Sequence, residues 1–143
     1  MATASQQIRE LSTDAPGELS AGVLIIVSDR LVGRQLARML TKKGYEGVRA
    51  VSNAARALIV AHEYGPGIIF LDLALAGDAY DLARALQHQA GRDVHRLIAL
   101  TPSIEHSTRE RARRAGFERW LVTPVQQDEL DDLLLKRQAV PAE

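Results

Sequence analysis

Three short apolar runs constrain this chain most: Val23-Leu24-Ile25-Ile26-Val27, Ile68-Ile69-Phe70-Leu71 and Leu97-Ile98-Ala99-Leu100. None alternates with polar residues, so none has a face suited to water. Such runs read as strands buried on both sides, the mark of a parallel sheet covered by helices. The stretches between them carry helical spacing. Val32, Leu36, Met39 and Leu40 define one helix face, and Gly44 stands where a C-terminal cap belongs. Asn53 caps a second helix, whose inward face holds Ala54, Ala57, Leu58 and Ala61 and which ends at Gly65-Pro66-Gly67. Leu82, Ala85 and Leu86 mark a third helix; Ile104, Thr108, Ala112 and Ala115 mark a fourth, stopped by Gly116; Leu130, Leu133 and Leu134 mark a fifth. Glu46 to Val51 and Trp120-Leu121-Val122 read as two further strands. Five strands alternating with five helices predict an α/β domain, a parallel sheet with right-handed crossovers and helices on both faces.

That domain is expected over residues 22–138, after a flexible leader (1–21) with at most one helical turn around Ile8 and Leu11, and before a tail (139–143). Lys and Arg together number 18, as do Asp and Glu, so no basic excess suggests nucleic acid. Cysteine is absent, which removes disulfides, thiolate nucleophiles and Cys-based zinc sites. The run from Val23 to Val27 is too short to span a bilayer, and no secretory signal pattern is present. The expected setting is the cytoplasm, without membrane contact.

In a doubly wound sheet, chemistry gathers at the carboxyl ends of the strands. Here those ends carry Ser28 and Asp29, Asp72, Thr101, and Thr123-Pro124. Two carboxylates and a hydroxyl converging there would suit a hard cation such as Mg²⁺, and a carboxylate beside it can take up a phosphoryl group. Spacing alone also allows a simpler reading, because loops begin at strand ends and polar residues are common there.

The ordered set of segments resembles the receiver domain of bacterial two-component response regulators, from about Val23 to Gln138. Val27-Ser28-Asp29 is similar to the family's acidic-pair segment, and Phe70-Leu71-Asp72-Leu73 to the segment carrying the phospho-accepting aspartate, here Asp72. Ala99-Leu100-Thr101 resembles the switch segment, with Thr101 as the phosphoryl-sensing residue. Trp120-Leu121-Val122-Thr123-Pro124 resembles the fifth strand, with Trp120 at the aromatic switch position and Thr123-Pro124 where the family has a Lys-Pro pair, often cis. The resemblance implies a flavodoxin-like (β/α)5 fold with strand order 2-1-3-4-5. It also implies weak Mg²⁺ binding by Asp29, Asp72 and the backbone carbonyl of Ala74, with Ser28 contributing through a water at most.

The departures bear on activity. Ser28 replaces an acid, Thr123 replaces the lysine, Pro102 offers no N–H, and Ala76 stands where a proline is usual. A lost preorganised donor costs on the order of 3 kcal/mol of transition-state stabilisation. Arg30, next to Asp29, is a conceivable substitute for the missing lysine.

The expectation is therefore an atypical single-domain receiver, not an enzyme, that works by protein–protein contact with weak or absent phosphorylation. A functional phosphorelay receiver phosphorylated at Asp72 is the alternative, and a flavodoxin-like cofactor or phosphatase domain a remote one. Expected partners are a histidine kinase or other signalling protein, or a second copy through helix 4, strand 5 and helix 5. Arg109, Arg113 and Trp120 mark that surface. The other arginines there, Arg111, Arg114 and Arg119, are interspersed with Glu110 and Glu118, which suits a solvated face as well. His62, His88, His95 and His106 have no metal-motif spacing. Asp128, Glu129, Asp131 and Asp132 complement the dipole of the last helix.

Overall fold

The structure is a computed structural model describing residues 22–75, 78–90, 96–102 and 105–135. Ala76, His95, Ile104, the leader and the tail lie outside the described residues.

The apolar runs become the sheet. Strand β1 is Val23–Ile26, β2 Val48–Val51, β3 Ile68–Asp72, β4 Arg96–Thr101 and β5 Arg119–Val122. All pairings are parallel and the order is β2-β1-β3-β4-β5, as the resemblance implied. Every residue of β1, and Ile68 to Leu71 of β3, is buried. β1 stops one residue earlier than its apolar run, although the Val27 N–H still donates to Val51 O at 3.1 Å. β2 starts at Val48 rather than Glu46, because Gly47 turns the chain with φ +65°.

The helices are α1 (Arg30–Lys42), α2 (Ala54–Tyr64), α3 (Ala79–Ala90), α4 (His106–Arg114) and α5 (Gln127–Leu135). Side chains from alternate strand positions build two cores. α1 and α5 cover one face through Leu36, Leu40, Leu130 and Leu133, against Ile25, Phe70 and Ile98. α2, α3 and α4 cover the other through Ala57, Ala61, Ala83, Leu86 and Ala112, against Leu24, Ile69 and Leu97. Each fully buried Leu, Ile or Phe contributes about 1.5–3 kcal/mol.

Helix ends follow the sequence signals. The Asn53 side chain accepts from Arg56 N–H at 2.8 Å. Gly44 and Gly116 take positive φ just past α1 and α4. In each case the next residue's N–H returns to the helix, Tyr45 to Leu40 O and Phe117 to Ala112 O, while the glycine N–H reaches Thr41 O or Arg113 O. This is the Schellman arrangement.

The edge of the sheet away from the strand carboxyl ends is fastened by Tyr64, the last residue of α2. Its hydroxyl donates to Gly47 O, and Arg49 lies over its ring at 4.4 Å. A Cβ at Gly47 would strike that hydroxyl, whereas a Cβ at Gly65, with nearly the same φ of +63°, meets nothing within 4 Å. Gly65→Ala is expected to cost about 1–2 kcal/mol, the left-handed strain alone. Gly47→Ala should cost clearly more, and a Tyr64→Phe background should shrink the gap between the two. Urea denaturation of the four variants checks this, and equal costs in both backgrounds would contradict the packing described.

Candidate functional site

The carboxyl edge of the sheet gathers most of the residues singled out by sequence. In the register, Ile26 of β1 lies beside Leu71 of β3, and Asp72 beside Leu100 of β4. Ser28 therefore arrives next to Asp72, and its hydroxyl donates to Asp72 Oδ2 at 3.4 Å. The other oxygen, Oδ1, accepts from Ala74 N–H at 2.9 Å, and Leu75 N–H returns to Asp72 O at 3.1 Å. This turn fixes the carboxylate while leaving it half-buried.

Thr101 ends β4, is buried, and pairs with Val122 in the register. Its carbonyl accepts from Thr123 N–H at 2.9 Å, which draws the fifth-strand loop to the same edge. The Thr123–Pro124 peptide bond is cis, the form the resemblance implied. Pro102 follows Thr101 and is exposed.

Asp29 has a structural task that its sequence position alone did not reveal. Its backbone is extended and its Oδ1 accepts from Leu31 N–H at 2.9 Å, making it the N-cap of α1. The signal is an aspartate immediately before a helical run, overshadowed by the resemblance of its segment to a cation-binding one. Arg30 is the first residue of α1, is exposed, and makes no hydrogen bond or ion pair with Asp72. Among the described residues, no three His, Cys, Asp or Glu side chains cluster closely enough to hold a metal ion.

The surface proposed for partners lies further along the same sheet. The Trp120 ring is half-buried and packs on the core beneath α2, α3 and α4, while Val122 is 36% exposed beside it on β5. The basic residues of α4 divide. Arg113 pairs with Glu110 at 2.7 Å, and that bond holds the Glu110 carboxyl below its usual range. Arg111 lies over the Tyr80 ring at 4.1 Å, joining α4 to α3. Arg119 reaches Asp132 at 3.7 Å. Arg109 and Arg114 are exposed and close no ion pair among the described residues.

Comparison with protein families matches residues 23–135 to the response regulator receiver domain. A transcriptional regulatory protein of Mycobacterium tuberculosis, PdtaR, is 30% identical over 114 residues, which is 79% of this chain. The chain spans about half the length of that curated relative, 54%. The signal receiver domain of a modulated diguanylate cyclase from Desulfovibrio desulfuricans superposes with a TM-score of 0.70 at 29% identity, covering 81% of this chain and 91% of its own. The Vibrio cholerae chemotaxis protein CheY4 superposes with a TM-score of 0.75 at 19% identity, covering 82% and 98%, and shows the shared fold. The chain belongs to the response regulator receiver family of two-component signalling.

The capping role of Asp29 can be separated from its charge. Asp29→Ala should lower stability by about 1 kcal/mol through loss of the cap, while Asp29→Asn, an equally good cap, should keep stability and lose only the charge. Equal stability loss in both variants, measured by urea denaturation, would contradict the capping role.

Proposed function

We propose that this receiver signals mainly through protein–protein contact, with phosphorylation of Asp72 weak or absent. The observation that carries the reading is the neutral hydroxyl of Ser28 at 3.4 Å from Asp72 Oδ2, in a place where the resemblance implies an acid. The resemblance likewise implies a lysine where Thr123 stands, hydrogen-bonded to Thr101 O through its backbone. A threonine hydroxyl cannot offset the charge of an incoming phosphoryl group, and Pro102 has no N–H to donate to it.

Receiver domains generally bind Mg²⁺ at the phosphorylation site. The donors at this edge fit such an ion weakly. Mg²⁺ is commonly held by one or two carboxylates and several waters, and Asp29 and Asp72 supply two. One oxygen of each is already committed to a backbone N–H, to Leu31 and to Ala74. Asp29, Asp72 and the carbonyl of Ala74 would hold the ion, with Ser28 contributing through a water at most. The ion would supply positive charge toward a phosphoryl group on Asp72. Thr101 would sense that group, and Trp120 would pass on its presence.

Receiver domains work with histidine kinases or phosphotransfer proteins. The yeast receiver Ssk1, similar in fold to this chain with a TM-score of 0.74 and 20% identity, is seen with the phosphotransfer protein Ypd1. For this chain a histidine kinase or another signalling protein is the proposed partner. Arg109, Arg113 and Trp120 would form the contact, or a homodimer would use α4, β5 and α5. The proposed setting is the cytoplasm, and among the described residues no helix is long and apolar enough to cross a membrane. No enzymatic activity is proposed. A working phosphorelay receiver is the second reading, favoured by the retention of Asp29, Asp72 and Thr101 at one edge.

Incubation with phosphoramidate and Mg²⁺, read by intact mass, tests the proposal. Little or no adduct is expected under conditions that label an ordinary receiver, and Ser28→Asp combined with Thr123→Lys should raise the yield. A stoichiometric phosphoryl adduct on the native chain that vanishes in Asp72→Asn would establish the second reading instead.

A further inference from the structure

A groove beside the edge strand β2, next to the loop after β1, is separate from the contacts made by Asp72. β2 is an edge strand, and between it and α1 runs an open groove of about 430 Å³. Small residues from both elements leave it unfilled: Gly33 and Ala37 of α1, and Ala50 of β2. Gly33 is buried against the end of β1, where a Cβ would come within 2.8 Å of Val27 Cγ2, so the helix lies bare against the strand. The volume falls within the range of roughly 300–1,000 Å³ typical of small-ligand pockets.

The polar lining has one sign. Arg30 and Arg34, one turn apart on α1, flank the groove, and Ser52 stands at its end. Both arginines are exposed, and neither has a carboxylate partner among the described residues. Other guanidinium groups are engaged: Arg84 with Asp81, Arg96 with Glu118, Arg113 with Glu110, and Arg49 and Arg111 over tyrosine rings. α1 contains no acidic residue at all, and its cations Arg30, Arg34, Arg38 and Lys42 recur every fourth position. The carboxylate nearest in sequence, Asp29, is turned to the α1 cap. In a chain of zero formal net charge, positive potential is thus concentrated at the mouth of this groove.

We propose that the α1–β2 groove binds a small amphiphilic anion. Its apolar body would lie on the floor made by Ala37, Val48 and Ala50, and a single phosphate, sulfonate or carboxylate would be held by Arg30 and Arg34. Guanidinium groups grip such oxyanions in paired, charge-assisted hydrogen bonds. A bare inorganic anion would leave the floor unused, and a neutral apolar ligand would leave the guanidiniums unused. The occupant would touch Val27 and Arg30, the residues on either side of Ser28 and Asp29, so it would sit beside the acidic loop without needing Asp72.

The probe is 1-anilinonaphthalene-8-sulfonate, followed by its fluorescence and by amide shifts of the ¹⁵N-labelled chain. Saturable binding is expected, with the largest shifts at residues 30–37 and 48–52. Arg30→Gln with Arg34→Gln should weaken it about tenfold or more. Ala50→Leu, which fills the floor from an exposed position, should weaken it likewise. Arg109→Gln with Arg114→Gln on α4, and Asp72→Asn, should leave it unchanged, and near-ultraviolet circular dichroism should show every variant folded. Several results would overturn the proposal: no saturable binding, shifts centred elsewhere, indifference to both groove variants, or inorganic phosphate binding as tightly as the probe. Because the binding is read without any phosphoryl step at Asp72, this result and the phosphorylation result can fail independently.

Discussion

The parallel pairing of β3 with β1 on one side and β4 on the other is the constraint on which the rest depends. Ile68 to Leu71 have no exposed surface to speak of, so the strand can lie only between two neighbours and under two helix layers. A slip of one residue would exchange the side chains presented to the two cores. The apolar burial therefore fixes the register, and the register places Asp72 one step past the last fully buried residue. The acid stands at the carboxyl edge because the core leaves it nowhere else to go.

At that edge, charge rather than shape separates this chain from the pattern it resembles. The turn after Asp72, the threonine ending β4 and the cis bond before Pro124 are all in place. What differs is mainly the inventory of charge, with a hydroxyl at Ser28 and another at Thr123, together with the N–H that Pro102 lacks. A scaffold can keep its geometry through such exchanges, because the strands are positioned by apolar burial far from the edge. The chemistry is more sensitive to them, because cation binding and phosphoryl stabilisation both depend on formal charge at short range.

Strand and helix identity were legible because burial writes itself into the sequence as uninterrupted apolar runs and helical spacing. Caps at Asn53, Gly44 and Gly116 were legible for the same local reason. Boundaries were less so, since Gly47 turns the chain inside a stretch that otherwise reads as extended. Asp29 shows why site residues are harder. Its side chain satisfies a helix terminus, and an aspartate suits that task and cation binding equally. The α1–β2 groove was not legible at all, because it arises from small residues on two separate elements meeting at Gly33. The basic repeat along α1 was visible but had no meaning until its neighbours were known.

On the function proposed, the edge around Asp72 is short of negative charge for a cation and short of positive charge for a phosphoryl group. The most direct measurement is a Mg²⁺ titration followed by the fluorescence of Trp120, the only tryptophan in the chain, comparing the native protein with Ser28→Asp. Restoring one carboxylate should tighten Mg²⁺ binding by about tenfold or more, since the added attraction acts at contact distance. Equal affinity in the two proteins, with the native chain already binding tightly, would contradict the account.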